Sequence, residues 1–412
     1  MRRLLVQTSV IQSLGMVLML MTTLLVSRFA GPSTQGSLAL VKSFNDLQVA
    51  VFSLGLPSAI VIMLNRTGRG HRSVLRLVWK YGLALLLLLP PINLALLALT
   101  GSSPEDGTIY LQAVLIGWSS AAFTAFAFLR ALLLVRTDGP IFSVISILHW
   151  VIIFSTAVLL LNSTDLIFEI AYFVAGAGSL AIIYPMVRPR PAAACSLKEG
   201  DPIDWPLLRS QSGNVMLQTV LYGFQPFLTN AVLARVDQTL SLAGLFNIAA
   251  LVITLPNLLV ALVAPVLLNR WSKYLDWVGY ASVQRHALAL GAIGQVVALA
   301  VIPFLPVLIT LVFGASFAAA VAPTQVMMLA VFAVIAGRIL TPALQGMARN
   351  DVVSWSCAAR VAAILAGAGA TYFVAAQPML LAMAAGWCIG ENVALAFLLL
   401  SALRARRSAA GT

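Results

Sequence analysis

Six charged side chains lie inside long apolar stretches of this sequence, where charge is expensive and chemistry is possible. Three are basic and three are acidic: Lys42, Arg130, Arg338, Asp46, Glu169 and Glu391. A charge at the centre of a bilayer costs at least about 2.5–3.5 kcal/mol, so each of them needs a partner or a function. The basic groups suit an anionic substrate, because Arg can engage two phosphate oxygens through its planar fork.

The three acidic residues differ in where they lie within their predicted spans. Asp46 and Glu391 are candidate sites for a coupling H⁺ or Na⁺, whereas Glu169 lies near the predicted outer surface. Lys42 and Asp46 are four residues apart and share a helical face with Gln35 and Ser53. This polar stripe predicts a helix that lines a cavity, with Lys42 as a substrate-binding residue. The alternative is a fixed ion pair between Lys42 and Asp46.

Two arginines lie deeper in predicted spans. Arg338 lies about 12 Å by helical rise from the cytoplasmic end of its span, too deep to reach headgroups easily. It is predicted to bind substrate, and the alternative is a structural salt bridge, for example to Glu391. Arg130 is a weaker candidate for substrate binding, because from its depth it can extend to the inner headgroups.

Three further residues complete the predicted substrate-binding set. Arg28 and Arg235 lie at outer span ends, where anchoring to headgroups is the alternative role. Gln218 lies on a polar stripe of the predicted seventh span. A cavity with these residues would be cationic and hydrated.

The elements that must position these residues are transmembrane helices. The chain is 61% hydrophobic and only 9% charged, against about 25% charged in soluble domains. Apolar stretches long enough to cross about 30 Å of hydrocarbon recur along it, and the longest polar interval, 188–210, is too short to bury a core. We predict an all-α, multi-pass membrane protein with about twelve spans in two pseudo-symmetric six-helix bundles around a central cavity. The spans lie near 8–29, 37–65, 74–99, 109–135, 141–162, 167–187, 211–234, 241–268, 286–312, 323–346, 355–375 and 378–402.

The net charge of +12 reflects topology and not a nucleic-acid partner. With a cytoplasmic N-terminus, twenty of the 25 Lys and Arg residues fall in inner loops and at inner span ends. This asymmetry predicts that both termini are cytoplasmic. Inside span 3, the pair Pro90-Pro91 should be tolerated only where neighbouring groups or water satisfy the carbonyls that it frees.

A weak internal repeat divides the chain. Leu56-Pro57 and the helix end Leu64–Arg66 correspond to Leu255-Pro256 and Leu268–Arg270 in the second half. We therefore predict an N-terminal bundle, 1–187, a cytoplasmic linker, 188–210, and a C-terminal bundle, 211–412. Repeated bundles are a transporter plan in which the substrate site lies between the halves.

Several motifs resemble those of one transporter family. They are the run Arg28–Pro32 followed by Gly36, the step Leu54–Pro57, the turn Phe313–Phe317, and the turn Gly346–Asp351. Together they resemble the polysaccharide-transporter family, the Wzx-type O-antigen flippases of the multidrug/oligosaccharidyl-lipid/polysaccharide exporter superfamily. The layout resembles this family along the whole chain, whereas the motifs cover about a sixth of it.

The resemblance implies a flippase in the cytoplasmic (inner) membrane. Its substrate would be an undecaprenyl-diphosphate-linked oligosaccharide for cell-surface polysaccharide synthesis, and its partners would be membrane lipids and the polysaccharide polymerase machinery. It implies no enzymatic activity and no cofactor beyond a coupling H⁺ or Na⁺. The alternative is a cation-coupled multidrug antiporter of the same superfamily, which would favour acidic cavity residues. A glycosyltransferase or polymerase would need a larger outer loop than the eight or so residues predicted here.

The topology prediction can be tested by cysteine accessibility in a background that lacks the native cysteines. Ser103→Cys should react with an impermeant reagent added from the periplasm, because it lies in a predicted outer loop. Ser196→Cys and Ser408→Cys should react only after the membrane is opened. Labelling of either of these from the periplasm in intact cells would contradict the assignment.

Overall fold

The computed structural model describes the chain as an α-helical protein. It describes residues 2–67, 70–99, 108–136, 139–161, 166–187, 203, 205–253, 271, 277–347, 349–373 and 378–410, and these contain no β-strand. The helices are α1 (Arg2–Phe52), α2 (Leu56–Thr67), α3 (His71–Leu99), α4 (Thr108–Arg136), α5 (Gly139–Leu160), α6 (Ile167–Val187), α7 (Trp205–Val236), α8 (Ser241–Ile253), α9 (Trp277–Val301), α10 (Leu305–Phe313), α11 (Val321–Met328), α12 (Val331–Gly346), α13 (Asn350–Phe373) and α14 (Met379–Ala410). Short 3₁₀ segments, Ile302–Phe304 and Ala315–Ala320, flank α10.

The lengths and composition of these helices confirm an all-α, multi-pass membrane protein. Within the described residues, 8 helices are long and apolar enough to cross a membrane, or 9 if the bent pair formed by the segment 315–328 and α12 is one span. The predicted spans 74–99, 109–135, 141–162 and 167–187 agree with α3 to α6 within a few residues. Helix α7 begins at Trp205, earlier than residue 211, where the seventh span was predicted to begin.

Two predicted spans are broken helices. The second span is interrupted between α1 and α2, and the tenth bends by 58° between α11 and α12. The second copy of the sequence repeat, 255–270, lies outside the described residues. The bundles 1–187 and 211–412 were inferred from that repeat and stay a prediction.

The predicted Gly/Pro turn after span 1 is a break in α1 at a single residue. Gly31 has φ 81° and ψ −174°, a conformation that suits glycine because it has no Cβ. Pro32 follows and brings no N–H group. The Thr34 hydroxyl donates a hydrogen bond to the Ala30 carbonyl over 3.1 Å, so the carbonyl before the break has a donor.

The break between α1 and α2 has a donor from another helix. Leu54 (φ 53°) and Gly55 (φ 66°) both adopt left-handed conformations. The Tyr81 hydroxyl of α3 donates to the Phe52 carbonyl over 2.8 Å. A Cβ on Gly55 would lie 2.6 Å from the Ser212 carbonyl oxygen, so glycine is also needed for the approach of α7.

A side-chain amide is inserted into the break between α11 and α12. Gln295 of α9 donates through Nε2 to the Met328 carbonyl over 3.2 Å, and its Oε1 accepts from the Phe332 N–H over 2.9 Å. In a continuous helix these two backbone groups would bond to each other. The amide therefore replaces one helical hydrogen bond and satisfies both of its partners.

The chain forms two compact units. The first comprises Met1–Val26 and Ser37–Gln238, and the second comprises Ser27–Gly36 and Thr239–Thr412. In the first unit a buried polar layer holds α1 against its neighbours. The Asn45 amide oxygen accepts from Ser119 and Ser120 of α4 over 2.7 and 2.9 Å.

In the second unit the break in α1 is held by backbone-to-backbone contact. A Cβ on Gly36 would lie 1.9 Å from the Leu240 carbonyl oxygen, and a Cβ on Gly244 would lie 1.9 Å from that of Pro32. Arg28 donates to the Leu311 carbonyl at the end of α10 over 3.1 Å. Two motifs of the family resemblance, the Arg28 run and the Phe313–Phe317 turn, are thus neighbours within this unit.

These close contacts predict the effect of adding one methyl group. Gly36→Ala should destabilise the protein by about 1–3 kcal/mol, because overpacking forces the backbone of Leu240 to move. The measurement is the thermal unfolding temperature of the purified protein in detergent. The matched control is Gly369→Ala in α13, where a Cβ meets nothing within 4 Å. Equal stability of the two variants would contradict the proposed backbone contact.

Candidate functional site

The first unit encloses a cavity of about 540 Å³ between α1, α4, α5, α6 and α7. It also reaches the break before α2 at Ser53, Gly55 and Pro57. Its walls are largely apolar and aromatic. The polar and titratable lining residues that carry the argument below are Asn45, Asp46, Arg130, His149, Tyr172 and Tyr222.

The part of α1 after the break at Gly31 is held in place by its buried polar residues. These residues determine which of its side chains face the cavity. The hydrogen bonds from α4 to Asn45 hold the helix at one rotation, so that Asp46 and Val49 line the cavity. Asp46 forms an ion pair with Lys42, one turn earlier, as the spacing predicts. Both side chains are more than a third exposed, so this pair contributes little to stability.

Helix α7 forms the opposite wall because a glycine lets it approach α1. A Cβ on Gly223 would lie 3.1 Å from the Leu47 Cα and the Ala50 Cβ. The Asn230 amide donates to the Ala39 carbonyl of α1 over 3.2 Å and fixes the same contact further along. The neighbouring Tyr222 consequently lines the cavity.

Arg130 places a cationic group in the cavity wall. Its guanidinium carbon lies 5.0 Å from the centroid of the Phe142 ring, within cation–π range. The residue lies about 9 Å by helical rise before the end of α4 at Arg136. Stacking on Phe142 orients the guanidinium without neutralising it, so its donors remain suited to an anion.

Aromatic rings from three helices form much of the remaining wall. Phe123 of α4 packs edge-on against Tyr172 of α6 (centroids 6.0 Å apart) and against His149 of α5 (5.8 Å). His149 also lies 4.9 Å from the ring of Trp150. The sequence analysis did not identify Tyr172 or Tyr222 as site residues, because no periodicity within one helix indicates which rings meet from different helices.

The first unit thus brings only some of the predicted residues to the cavity. Asp46 and Arg130 line it, and Lys42 lies beside it through its ion pair. Gln218 is buried on α7, next to the lining residue Thr219, and Arg235 is exposed at the end of α7.

The other predicted residues belong to the second unit. Arg28 donates to the Leu311 carbonyl, a contact within the protein itself, and its roles in substrate binding or in anchoring to headgroups stay predictions. Arg338 is half-buried in α12. Glu391 of α14 forms a buried salt bridge with Arg360 of α13, with Nη1 and Oε1 3.2 Å apart and the two side chains 4% and 10% exposed.

Arg360 is a buried charged residue that the sequence analysis did not name as a candidate. It was counted as an inner span-end residue, but α13 begins at Asn350, so Arg360 lies about 15 Å along that helix. The pair is buried because α13 and α14 pack closely: a Cβ on Gly390 would lie 2.9 Å from the Arg360 carbonyl oxygen. The salt-bridge partner shown for Glu391 is Arg360, whereas the sequence analysis had suggested Arg338.

The fold is shared with solved transporter structures. The lipid II flippase MurJ in an inward closed conformation matches with a TM-score of 0.76 and 13% identity, over 96% of this chain and 87% of MurJ. An inward-facing multidrug resistance MATE family transporter of the MOP superfamily matches with 0.74 and 13%, over 97% and 95%. A mutant of the MATE transporter VcmN from Vibrio cholerae matches with 0.66 and 14%, over 98% and 97%.

This chain has the fold of the MOP transporters. No protein-family model matches the sequence, and no curated protein matches it. At 13–14% identity the structural likeness establishes the fold alone. The substrate must be argued from this chain's own residues.

The buried pair Arg360–Glu391 predicts a characteristic pattern of stabilities. Arg360→Met or Glu391→Gln alone should destabilise the protein by about 3–5 kcal/mol, because each leaves a buried charge without the opposite charge beside it. The double variant Arg360→Met/Glu391→Leu should unfold close to the wild-type temperature, because it removes both charges. Thermal unfolding in detergent measures this. Unchanged stability of Glu391→Gln together with lost transport would instead support the predicted ion-coupling role of Glu391.

Proposed function

We propose that this protein is a flippase that moves an undecaprenyl-diphosphate-linked oligosaccharide across the cytoplasmic membrane by alternating access, from the cytoplasmic to the periplasmic leaflet. The observation that carries the proposal is the charge balance of the cavity in the first unit. Asp46 is paired with Lys42, whereas the Arg130 guanidinium is stacked on an uncharged ring. Among the described lining residues, the balance therefore favours an anionic group.

The shape and chemistry of the cavity suit the head of such a substrate. Its volume of about 540 Å³ lies within the range of small-molecule sites, roughly 300–1,000 Å³. It would take the diphosphate and the first sugar, while the polyprenyl tail stays in lipid. Arg130 would bind two phosphate oxygens at once, and the rings of Tyr172, Trp150 and Tyr222 would pack against the apolar faces of the sugar.

The remaining predicted residues complete the proposal. Lys42, Arg28, Arg235, Gln218 and Arg338 are proposed to contact the substrate during its passage, with Arg338 the strongest candidate in the second unit. Coupling to H⁺ or Na⁺ would supply the energy. The fold shared with the lipid II flippase MurJ supports a lipid-linked substrate, and membrane lipids and the polysaccharide polymerase machinery are the proposed partners.

A second candidate function is a cation-coupled multidrug antiporter. One observation favours it: the Asp46 carboxylate and the aromatic rings share the cavity, and this combination binds organic cations in other proteins. The MATE family transporters of the same fold are consistent with it. The two functions differ in which charge is essential, Arg130 for the flippase and Asp46 for the antiporter.

The proposal predicts that removing a substrate-binding arginine stops export. Arg130→Ala and Arg338→Ala should each lower surface glycan at least about tenfold, because hydrogen bonds to charged groups contribute about 1.5–3 kcal/mol. Arg130→Lys and Arg338→Lys should restore export only in part, since Lys lacks the planar fork. The measurement is surface glycan in a strain without the native protein, together with protein abundance in the membrane fraction.

The matched control is Arg76→Ala, which removes an exposed arginine of α3 outside the cavity and should export normally. Full export by Arg130→Ala would contradict the role of Arg130 in substrate binding, and unchanged surface glycan in a strain that lacks the protein would contradict the flippase proposal. The antiporter would be favoured if Asp46→Asn lost drug resistance and surface glycan did not depend on the protein. Loss of export together with loss of protein would show that the arginine is structural.

A further inference from the structure

The three acidic residues within spans differ in their partners. Asp46 and Glu391 are each paired with a cation, Lys42 and Arg360. Glu169 is not paired with any described Lys, Arg or His side chain, and it is 0% exposed in the first turn of α6. The sequence analysis placed it near the outer surface and gave it no role.

Among the residues that the structure describes, Glu169 has one side-chain hydrogen-bond partner. Gln112 of α4 donates through Nε2 to its Oε1, and its Oε2 is buried without a hydrogen-bond partner. The titratable groups on the helices packed against it are remote or uncharged. Arg130 is about 27 Å along α4 from Gln112 by helical rise, and His149 is about 16 Å before the end of α5.

Glu169 is buried because α6 packs closely against α4 along one stripe. The buried residues of this stripe recur at intervals of three and four, at Glu169, Tyr172, Gly176, Ser179 and Ile183. A Cβ on Gly176 would lie 2.9 Å from the Ala122 Cβ and 3.3 Å from the Ser119 carbonyl oxygen. The carboxyl group is thus held between the two helices by contacts two turns away.

Two physical effects act on the carboxyl group in opposite directions. Burial without a cation disfavours the charged form, whereas the N-terminal turn of α6 favours negative charge there. Glu169 lies about 3 Å from the start of α6, and Gln112 lies about 6 Å from the start of α4. A small separation of the two helices at these ends would admit water and allow the carboxyl group to ionise.

We propose that Glu169 is a proton-binding site, protonated while α4 and α6 are packed together and ionised when they separate. The proton exchanges between the Glu169 carboxylate and the aqueous phase at the end of the membrane where α4 and α6 begin. No other reactant is needed. Tyr172 lies one turn further along the same stripe and lines the cavity. A change in the α4–α6 contact that buries Glu169 would therefore also change the cavity wall.

Proton binding would then shift the population between a closed and an opened α4–α6 arrangement. The role of this proton in transport rests on the function proposed above, whereas the proton site itself does not. If the predicted topology holds, the proton enters from the periplasm. The proton would then bind and leave on the periplasmic side, and its binding would set which α4–α6 arrangement is populated during transport.

Infrared difference spectroscopy of the purified full-length protein between acidic and alkaline pH tests the site directly. The wild type should show the carbonyl stretch of a protonated, buried carboxylic acid, and Glu169→Gln should lose that band. The matched control is Asp351→Asn, which removes an exposed carboxylate that is paired with Arg349 and should retain the band. A band that persists in Glu169→Gln would overturn the proposal.

A second variant keeps the test valid if Glu169→Gln does not fold. Gln112→Leu retains the acid and removes only its donor, so the carbonyl band should shift in frequency. An unshifted band in Gln112→Leu would show that the protonated group is another residue, and this too would overturn the proposal.

Export in cells separates the proton site from the proposed function. Glu169→Gln should lose most glycan export at normal protein abundance, whereas Glu169→Asp should retain part of it. Full export by Glu169→Gln would overturn the coupling role even if the infrared band belongs to Glu169. If the band is lost as expected but surface glycan is unchanged in a strain that lacks the protein, the flippase proposal fails and the proton site stands.

Discussion

The constraint on which this structure depends is that a helix break inside a membrane must find its hydrogen-bond partners within the protein. Each break described above meets this constraint with a polar side chain. Thr34 bonds to the Ala30 carbonyl before the break at Gly31, Tyr81 bonds to the Phe52 carbonyl, and Gln295 bonds to both sides of the break after α11. The indole of Trp118 donates to the Leu86 carbonyl over 3.2 Å, which is the carbonyl freed by Pro90, because proline lacks an N–H group. This hydrogen bond confirms the prediction for Pro90, the first proline of the pair.

The same requirement divides the polar residues of the spans into two kinds. Asn45, Gln48 and Asn93 bond to groups on neighbouring helices or on their own helix, and they fix rotation and spacing. Arg130 and Asp46 face a cavity, and their groups remain able to meet a ligand. The cavity adjoins the break before α2, where Gly55 lets α7 approach. Irregular backbone therefore adjoins the site because the break and the close approach of α7 both need the same glycine, Gly55.

The sequence predicted what depends on one helix and missed what depends on two. The bounds of α3 to α6 and the Lys42–Asp46 pair follow from hydropathy and from spacing within a helix. The partner shown for Glu391 is Arg360, and no pattern in α14 indicates a residue 31 positions earlier. Arg360 was not identified as a candidate, because the sequence analysis grouped it with the inner span ends. Gln295 gives no signal in the sequence that it will bond to a break on another helix.

The distance between Glu169 and Arg130 decides how a proton could influence substrate binding. The two groups lie near opposite ends of the packed pair α4 and α6, about 27 Å apart by the rise of α4. At an effective dielectric constant of 20, two unit charges at that distance interact by only about 0.6 kcal/mol. Coupling between sites in proteins is typically about 1–3 kcal/mol, so the direct field of the proton is too weak. The contact between Gly176 of α6 and Ala122 of α4 lies between the two groups. Because this contact is close, a small separation of the helices at one end would displace both helices along their length. Coupling between the proposed proton and the proposed substrate would therefore act through helix packing, with Tyr172 as the residue that belongs to both the packed stripe and the cavity wall.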